Sequence, residues 1–268
     1  MPKTRSPNEL PLLNVQEGGG TGDTIVFLHG LGGTTRYWSS NLHGIELGGR
    51  IVLVDLLGFG DSPRPWFRYT IDRHIEPLRK ALRDYEQIVL VGHSLGATLA
   101  VIYAARYPEQ VKALVLMSLP NFQSRDRAYR WMRKRLRGWI LTNMLTVGLA
   151  CIITRRVTGK ILPLILTDYP REVAEDVVKH NVLSSTTSLW NVIYGHNIQE
   201  DAARLSPNIP VLCVHSRDDD TVPIGDVRML VEEFPNWQLH TIDGARHHPW
   251  LWNTGACVSG MNEFFRLI

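Results

Sequence analysis

The sequence predicts an α/β fold: a mostly parallel, doubly wound sheet of about seven strands carrying an inserted helical cap. Three observations lead there. Runs rich in branched apolar residues recur at 24–28, 51–55, 88–91, 113–117 and 211–215, and they are continuously apolar rather than alternating. Such runs suit strands buried on both faces of a parallel sheet. Between them, 35–44, 71–85, 95–107, 224–234 and 253–266 read as helices, so strand and helix alternate as right-handed crossovers require. The alternation then breaks from 121 to 207, where helical periodicity and basic runs replace any buried strand.

The remaining segments complete this outline. Residues 12–16 read as an edge strand ahead of the flexible turn Gly18-Gly19-Gly20, and 238–242 as a last strand before the final helix. The core is therefore assigned to 1–120 and 208–268, and the helical cap to 121–207. Within the cap, 139–153 is mostly apolar but interrupted by Thr142, Asn143, Thr146 and Gly148. It is shorter than the roughly 20 apolar residues of a membrane-spanning helix.

Composition excludes several classes. At 268 residues, with 44% hydrophobic and 21% charged residues, the chain suits one large globular domain rather than a disordered or fibrous one. Its net charge of +3 is small, which argues against a nucleic-acid partner. The charge is nevertheless concentrated: Arg125, Arg127, Arg130, Arg133, Lys134, Arg135 and Arg137 crowd together, opposed only by Asp126. Cys151, Cys213 and Cys257 lack metal-like spacing and are odd in number, so free thiols are expected. The first residues are polar, without the basic head and apolar run of a signal peptide, and a cytoplasmic location is expected.

The chemistry concentrates in one segment, where the run ending Val89-Leu-Val91 enters Gly92-His-Ser94-Leu-Gly96 and continues as a helix. Flanking glycines permit a tight turn that pushes the serine hydroxyl out at the sheet edge. The amide of Leu95 then stands at a helix N-terminus, where it can receive a developing oxyanion. A plain helix cap is the competing role for Ser94. His29-Gly30-Leu31-Gly32, after the 24–28 strand, can aim a second amide, that of Leu31, at the same oxygen. A serine nucleophile needs a base and a carboxylate to orient it. His247, in Gly244-Ala-Arg-His247-His248, follows the last strand, with His248 the alternative. The loop after 211–215 offers Asp218, Asp219 and Asp220, only one of which can face the histidine.

In this arrangement the chain resembles the α/β-hydrolase fold superfamily. The resemblance rests on His29-Gly30, on Gly92-x-Ser94-x-Gly96, on Asp219 ahead of Val222-Pro223 and on Gly244-x-x-His247, all in family order. It implies that Asp219 completes the set with Ser94 and His247, and that the segment from Asp55 to Ser62 braces the site. Two departures stand out: Ala97 where members often carry a second glycine, and Ser216 where acid loops often have glycine. Members that open epoxides or remove halogens use an aspartate at the elbow, so Ser94 argues against both.

The inserted segment forms a lid in that family. Here it would bring Trp131, Trp139 and Trp190 to the substrate, beside Trp38, Trp66 and Phe122 from loops near the site, with His29 and Gly30 in the oxyanion loop; His29 also reads as a brace for that loop. Simple packing of lid on core explains the same residues. The basic run from Arg125 to Arg137 reads first as a solvated face, with contact to an anionic substrate group or acyl carrier, or attraction to an anionic membrane surface, as the sharper alternatives. The expected activity is cleavage of an ester or thioester with an apolar group, through an acyl-enzyme and without cofactor or metal. Acyl transfer, carbon–carbon bond hydrolysis and ligand binding without catalysis are the competing readings, and the sequence leaves the oligomeric state open.

Overall fold

The computed structural model describes residues 10–43, 45, 47–134, 136–158 and 169–268, with backbone alone for 136, 137, 157 and 158. Seven strands form one sheet in the order β1-β3-β2-β4-β5-β6-β7. They are β1 (Val15–Glu17), β2 (Thr24–Leu28), β3 (Arg50–Val54), β4 (Ile88–His93), β5 (Val111–Met117), β6 (Val211–Ser216) and β7 (Trp237–Ile242). Only β1, at the edge, runs antiparallel; it pairs with β3 through Val15 and Val54. The six parallel strands carry the continuously apolar runs of the sequence, and β4 and β6 are buried along their whole length.

Helices cover both faces. They include α1 (Arg36–Ser39), α2 (Ile71–Leu82) and α3 (Leu95–Arg106). Helix α1 is shorter than its sequence suggests, and Gly44, its expected end, lies outside the described residues. Helix α3 is buried on every side from Leu95 to Ala104 because the sheet and the inserted segment enclose it between them. The insertion contributes α4 (Arg125–Met132), α5 (Met144–Ile153), α6 (Arg171–Asp176), α7 (Val182–Ser188) and α8 (Ile198–Ala202). A 3-10 stretch, Leu136–Thr142, joins α4 to α5, and a π-helical turn, Leu189–Tyr194, continues α7. After β6 follow α9 (Ile224–Glu233), and after β7 the short α10 (Pro249–Trp252) and α11 (Thr254–Phe265).

Parallel strands send all their carboxyl ends to one edge, so the loops after β2, β4, β6 and β7 meet there. The approach between layers is close. A Cβ on Gly96 would stand 2.2 Å from the Leu28 carbonyl oxygen of β2, and one on Gly92 would stand 2.5 Å from the Gly96 carbonyl. Both positions exclude any larger residue without a backbone shift. Gly96→Ala is expected to destabilise the fold by about 3 kcal/mol, seen as a thermal midpoint lowered by roughly 8 °C; an unchanged midpoint would refute the tight contact.

Candidate active site

Ser94 sits between β4 and α3 with φ 50° and ψ −111°, a conformation side chains rarely adopt. Its amide donates to the Met117 carbonyl at 2.9 Å, and its own carbonyl accepts the Thr98 amide at 3.0 Å. Strand and helix thus grip the residue from both sides. No capping bond holds the side chain, and its hydroxyl lies 3.1 Å from His247 Nε2. The competing role as helix cap is therefore not the one its geometry serves.

His247 Nδ1 donates to Asp219 Oδ2 at 2.9 Å, with Oδ1 at 3.2 Å. Oδ1 also accepts the amides of Thr221 and Val222 at 2.8 and 2.9 Å. Burial by itself pushes the Asp219 carboxyl up, but the His247 charge and hydrogen bond, with His215 and the Val222 amide, outweigh it and hold the group below the usual carboxylate range. Asp218 turns the other way, accepting the Ser216 hydroxyl and, at 3.3 Å, the Arg246 amide. Ser216 Oγ in turn accepts the Ala245 amide at 3.2 Å. The serine that departs from the family pattern therefore ties the aspartate loop to the histidine loop.

The other half of the site is backbone. Gly33 N–H donates to the Gly30 carbonyl at 3.0 Å and Gly32 has φ 74°, as in a type II turn with Leu31 at its first corner. Leu31 borders the cavity above Ser94. The Leu95 amide is the first of α3 and has no acceptor within its own helix. His29 is buried: its Nδ1–H donates to Gly30 O at 2.7 Å and its Nε2 accepts the Leu56 amide at 3.0 Å. With both nitrogens occupied it braces the loop and lines neither the cavity above Ser94 nor the adjoining one of about 240 Å³, which Gly30 does line. Asp55 anchors the neighbouring loops through the amides of Thr35 and Asp61, at 2.7 and 2.9 Å.

Ser94 and His247 open into a cavity of about 230 Å³ walled by Phe122, Met132, Leu141, Leu189, Ile193 and Tyr194. Phe122 is thus where the sequence places it, but the tryptophans are not. Trp38 is fully buried in the core, 5.0 Å from Phe27 and 5.4 Å from Trp250. Trp66 is 72% exposed and Trp139 56% exposed, outside the cavity. Trp131 donates to the Thr221 carbonyl at 3.0 Å, clamping α4 to the aspartate loop. Trp190 stands one layer back, donating to Tyr129 Oη at 2.7 Å and packing on Tyr194. Arg135 lies outside the described residues, as does the side chain of Arg137.

Sequence reasoning missed His93, the residue before the serine. Its Nε2–H donates to the His247 carbonyl at 2.8 Å, and its ring stacks on Tyr37 at 4.6 Å. Its place at the end of a strand beside the elbow was the available signal. It also missed Ile193 and Tyr194, whose aim depends on how the π-helical turn rotates.

With this geometry in hand, comparison decides the family. The model of the α/β hydrolase fold family matches residues 23–254. The chain belongs to that family. This α/β hydrolase is 26% identical to the probable lysophospholipase BODYGUARD 4 of Arabidopsis thaliana, over 91% of its own length and 62% of that relative. It spans, then, less than two thirds of that curated relative. In fold it is similar to an esterase from Thermogutta terrifontis, with TM-score 0.71 at 18% identity, covering 95% of this chain and 93% of that one. It is likewise similar to an epoxide hydrolase of Bacillus megaterium, with TM-score 0.69 at 22% identity, covering 95% and 96%. Such likeness shows the fold, which hosts differing chemistries.

Burial depresses several histidines of this α/β hydrolase. Burial pushes His248 down to about 3, with the His247 charge adding to it, and His74 to about 3. Burial and nearby Arg155 lower His180 to about 4. These rings stay neutral in the folded chain but take up protons from 6.5 downward when it unfolds, so their contribution is complete above pH 6.5 and is lost toward pH 3–4. The depressed Asp219 adds a further loss only below its ordinary value of 3.8. Urea unfolding is expected to give a free energy that is level above pH 7 and falls in acid. Each such histidine contributes up to about 1.4 kcal/mol per pH unit. His74→Gln should flatten the slope by about one proton; an unaltered slope would show that His74 titrates normally.

Proposed function

We propose that this chain is a serine hydrolase that cleaves a carboxylic ester, or a thioester, carrying an apolar group. The observation that carries the reading is the continuous set of contacts from Ser94 Oγ through His247 to the buried Asp219, at 3.1 and 2.9 Å, on the floor of an apolar cavity. Ser94 Oγ bonds to the ester carbonyl carbon while its proton passes to His247 Nε2. Asp219 meets the charge that forms on the imidazole, and the amides of Leu31 and Leu95 receive the oxyanion. The carbon–oxygen bond to the alcohol then breaks, and the alcohol leaves with the His247 proton. Water repeats the sequence in reverse and frees the acid and Ser94.

The cavity supports an apolar group of modest size, since binding sites for drug-sized ligands begin near 300 Å³ and this one measures about 230 Å³. The chemistry needs no metal or cofactor. The curated relative's name concerns a lysophospholipid, itself an ester, and fits the same reaction class.

A fluorophosphonate probe and p-nitrophenyl esters of increasing chain length test the reading. Native protein is expected to label and turn over the shorter esters, and added alcohols are expected to yield little transfer product. Ser94→Ala should abolish labelling and lower kcat about 10⁶-fold, and Asp219→Asn about 10⁴-fold. An unlabelled native protein, or equal labelling of Ser94→Ala, would sink it. Leu31→Pro offers a sharper probe, because proline suits the first corner of a type II turn yet removes the amide. Its kcat should fall about 100-fold with a smaller change in KM; an unchanged kcat would remove Leu31 from the oxyanion site.

A further inference from the structure

Helix α5 presents apolar side chains to solvent. Leu145 is 83% exposed and Leu149 58%, and with exposed Ile152 they fall at i, i+4 and i+7 on one stripe. The opposite face is apolar as well. Val147 and Gly148 are buried, Gly148 against the Val182 side chain, and Cys151 Sγ lies 3.1 Å from Ser185 Oγ of α7. Apart from Thr146 the helix is apolar, and a helix this apolar normally has protein or lipid on most of its sides. Among the described residues protein covers one side only, and exposed Trp139, Met144 and Ile153 extend the bare stripe into a patch. Scattered surface leucines need no explanation, but a contiguous patch does.

The charge along the segment that carries the patch is of one sign. The chain has no Asp or Glu between Asp126 and Asp168. Arg130, Arg133, Lys134, Arg155 and Arg156 are exposed along that stretch. Arg133 lies 4.9 Å over the Trp139 ring, and Arg155 and Arg156 follow directly on the last turn of α5. An apolar stripe with basic margins and an indole at the boundary is complementary to a layer of anionic headgroups over acyl chains. It is not complementary to itself: two copies meeting through this face would bring together basic margins from a segment that holds no acid. The patch also reaches the site, because Leu141 is 37% exposed and lines the cavity over Ser94.

We infer that the α5 face docks on an anionic phospholipid surface, with Leu145, Leu149 and Ile152 among the acyl chains and the flanking arginines on the headgroups. The mouth beside Leu141 then opens at the lipid. At 10 residues, about 15 Å long, α5 lies in the plane of the surface and does not cross it. The inference goes beyond the ester-hydrolase reading and stands apart from it.

Co-sedimentation with vesicles tests it. The native chain should bind phosphatidylcholine vesicles containing about 30 mol % phosphatidylserine. Binding should weaken at least about tenfold on phosphatidylcholine alone, or in about 0.5 M salt. The triple variant Leu145→Ser, Leu149→Ser, Ile152→Ser and the pair Arg155→Gln, Arg156→Gln should each lose about tenfold in partitioning. Circular dichroism, the thermal midpoint and turnover of a soluble short-chain ester should remain native in both. Native protein left in the supernatant, or native partitioning by the folded triple variant, would overturn the inference. A native dimer that the triple variant converts to monomers would overturn it too, giving the face to a second copy. Loss of ester turnover in the native chain would count against the hydrolase reading and leave the docking result intact.

Discussion

Everything at the strand ends depends on how closely α3 approaches β2 and on the backbone angles this imposes at Ser94. The Gly96 Cα passes against the Leu28 carbonyl with no room for a side chain. That contact pins the start of α3, so the chain between His93 and Leu95 must turn within one residue. Ser94 takes the strain, with φ 50°, and its hydroxyl is thereby set on the side where His247 waits. The same contact brings the first amide of α3 toward the loop that begins at His29. A serine on a relaxed turn would give up both relations at once.

Around that turn, the neighbouring loops are held by bonds that leave little freedom. Asp55 gathers the loops after β2 and β3, and Ser216 with Asp218 joins the loops after β6 and β7. The carboxylate of Asp219 is committed as well, accepting two amides as well as the imidazole. These bonds hold the aspartate in place and favour its charged form. Preorganisation of this kind lets electrostatic stabilisation act without first reorienting dipoles.

Much of this was legible because strand, turn and helix signals coincide at the same residues. The branched run into Gly92 and the small residues after Ser94 specify both the sheet and the elbow, so fold and candidate nucleophile were read together. Asp219 was harder, standing between two aspartates; what separates it from Asp218 is the Ser216 hydroxyl, a tertiary contact without a periodic signature. For the tryptophans, bulk does not distinguish a cavity lining from packing. Trp38 is large enough to close the core against Phe27 and Trp250, and Trp139 lies on the surface under an arginine. The residues that do line the cavity, such as Ile193 and Tyr194, come from a π-helical turn whose extra residue per turn shifts which side chains point inward.

His93 gives the site a further property. Its hold on the His247 carbonyl uses the Nε2 proton, and its Nδ1 is buried with no hydrogen-bond partner among the described residues. Burial, with His247 and His248 nearby, keeps this ring well below the ordinary histidine range. The tether and the tethered group are both imidazoles, but the bond runs from the His93 ring to the His247 backbone carbonyl, which leaves the His247 ring nitrogens to Ser94 and Asp219. Support of the histidine loop and the contacts of the His247 ring thus run through separate atoms.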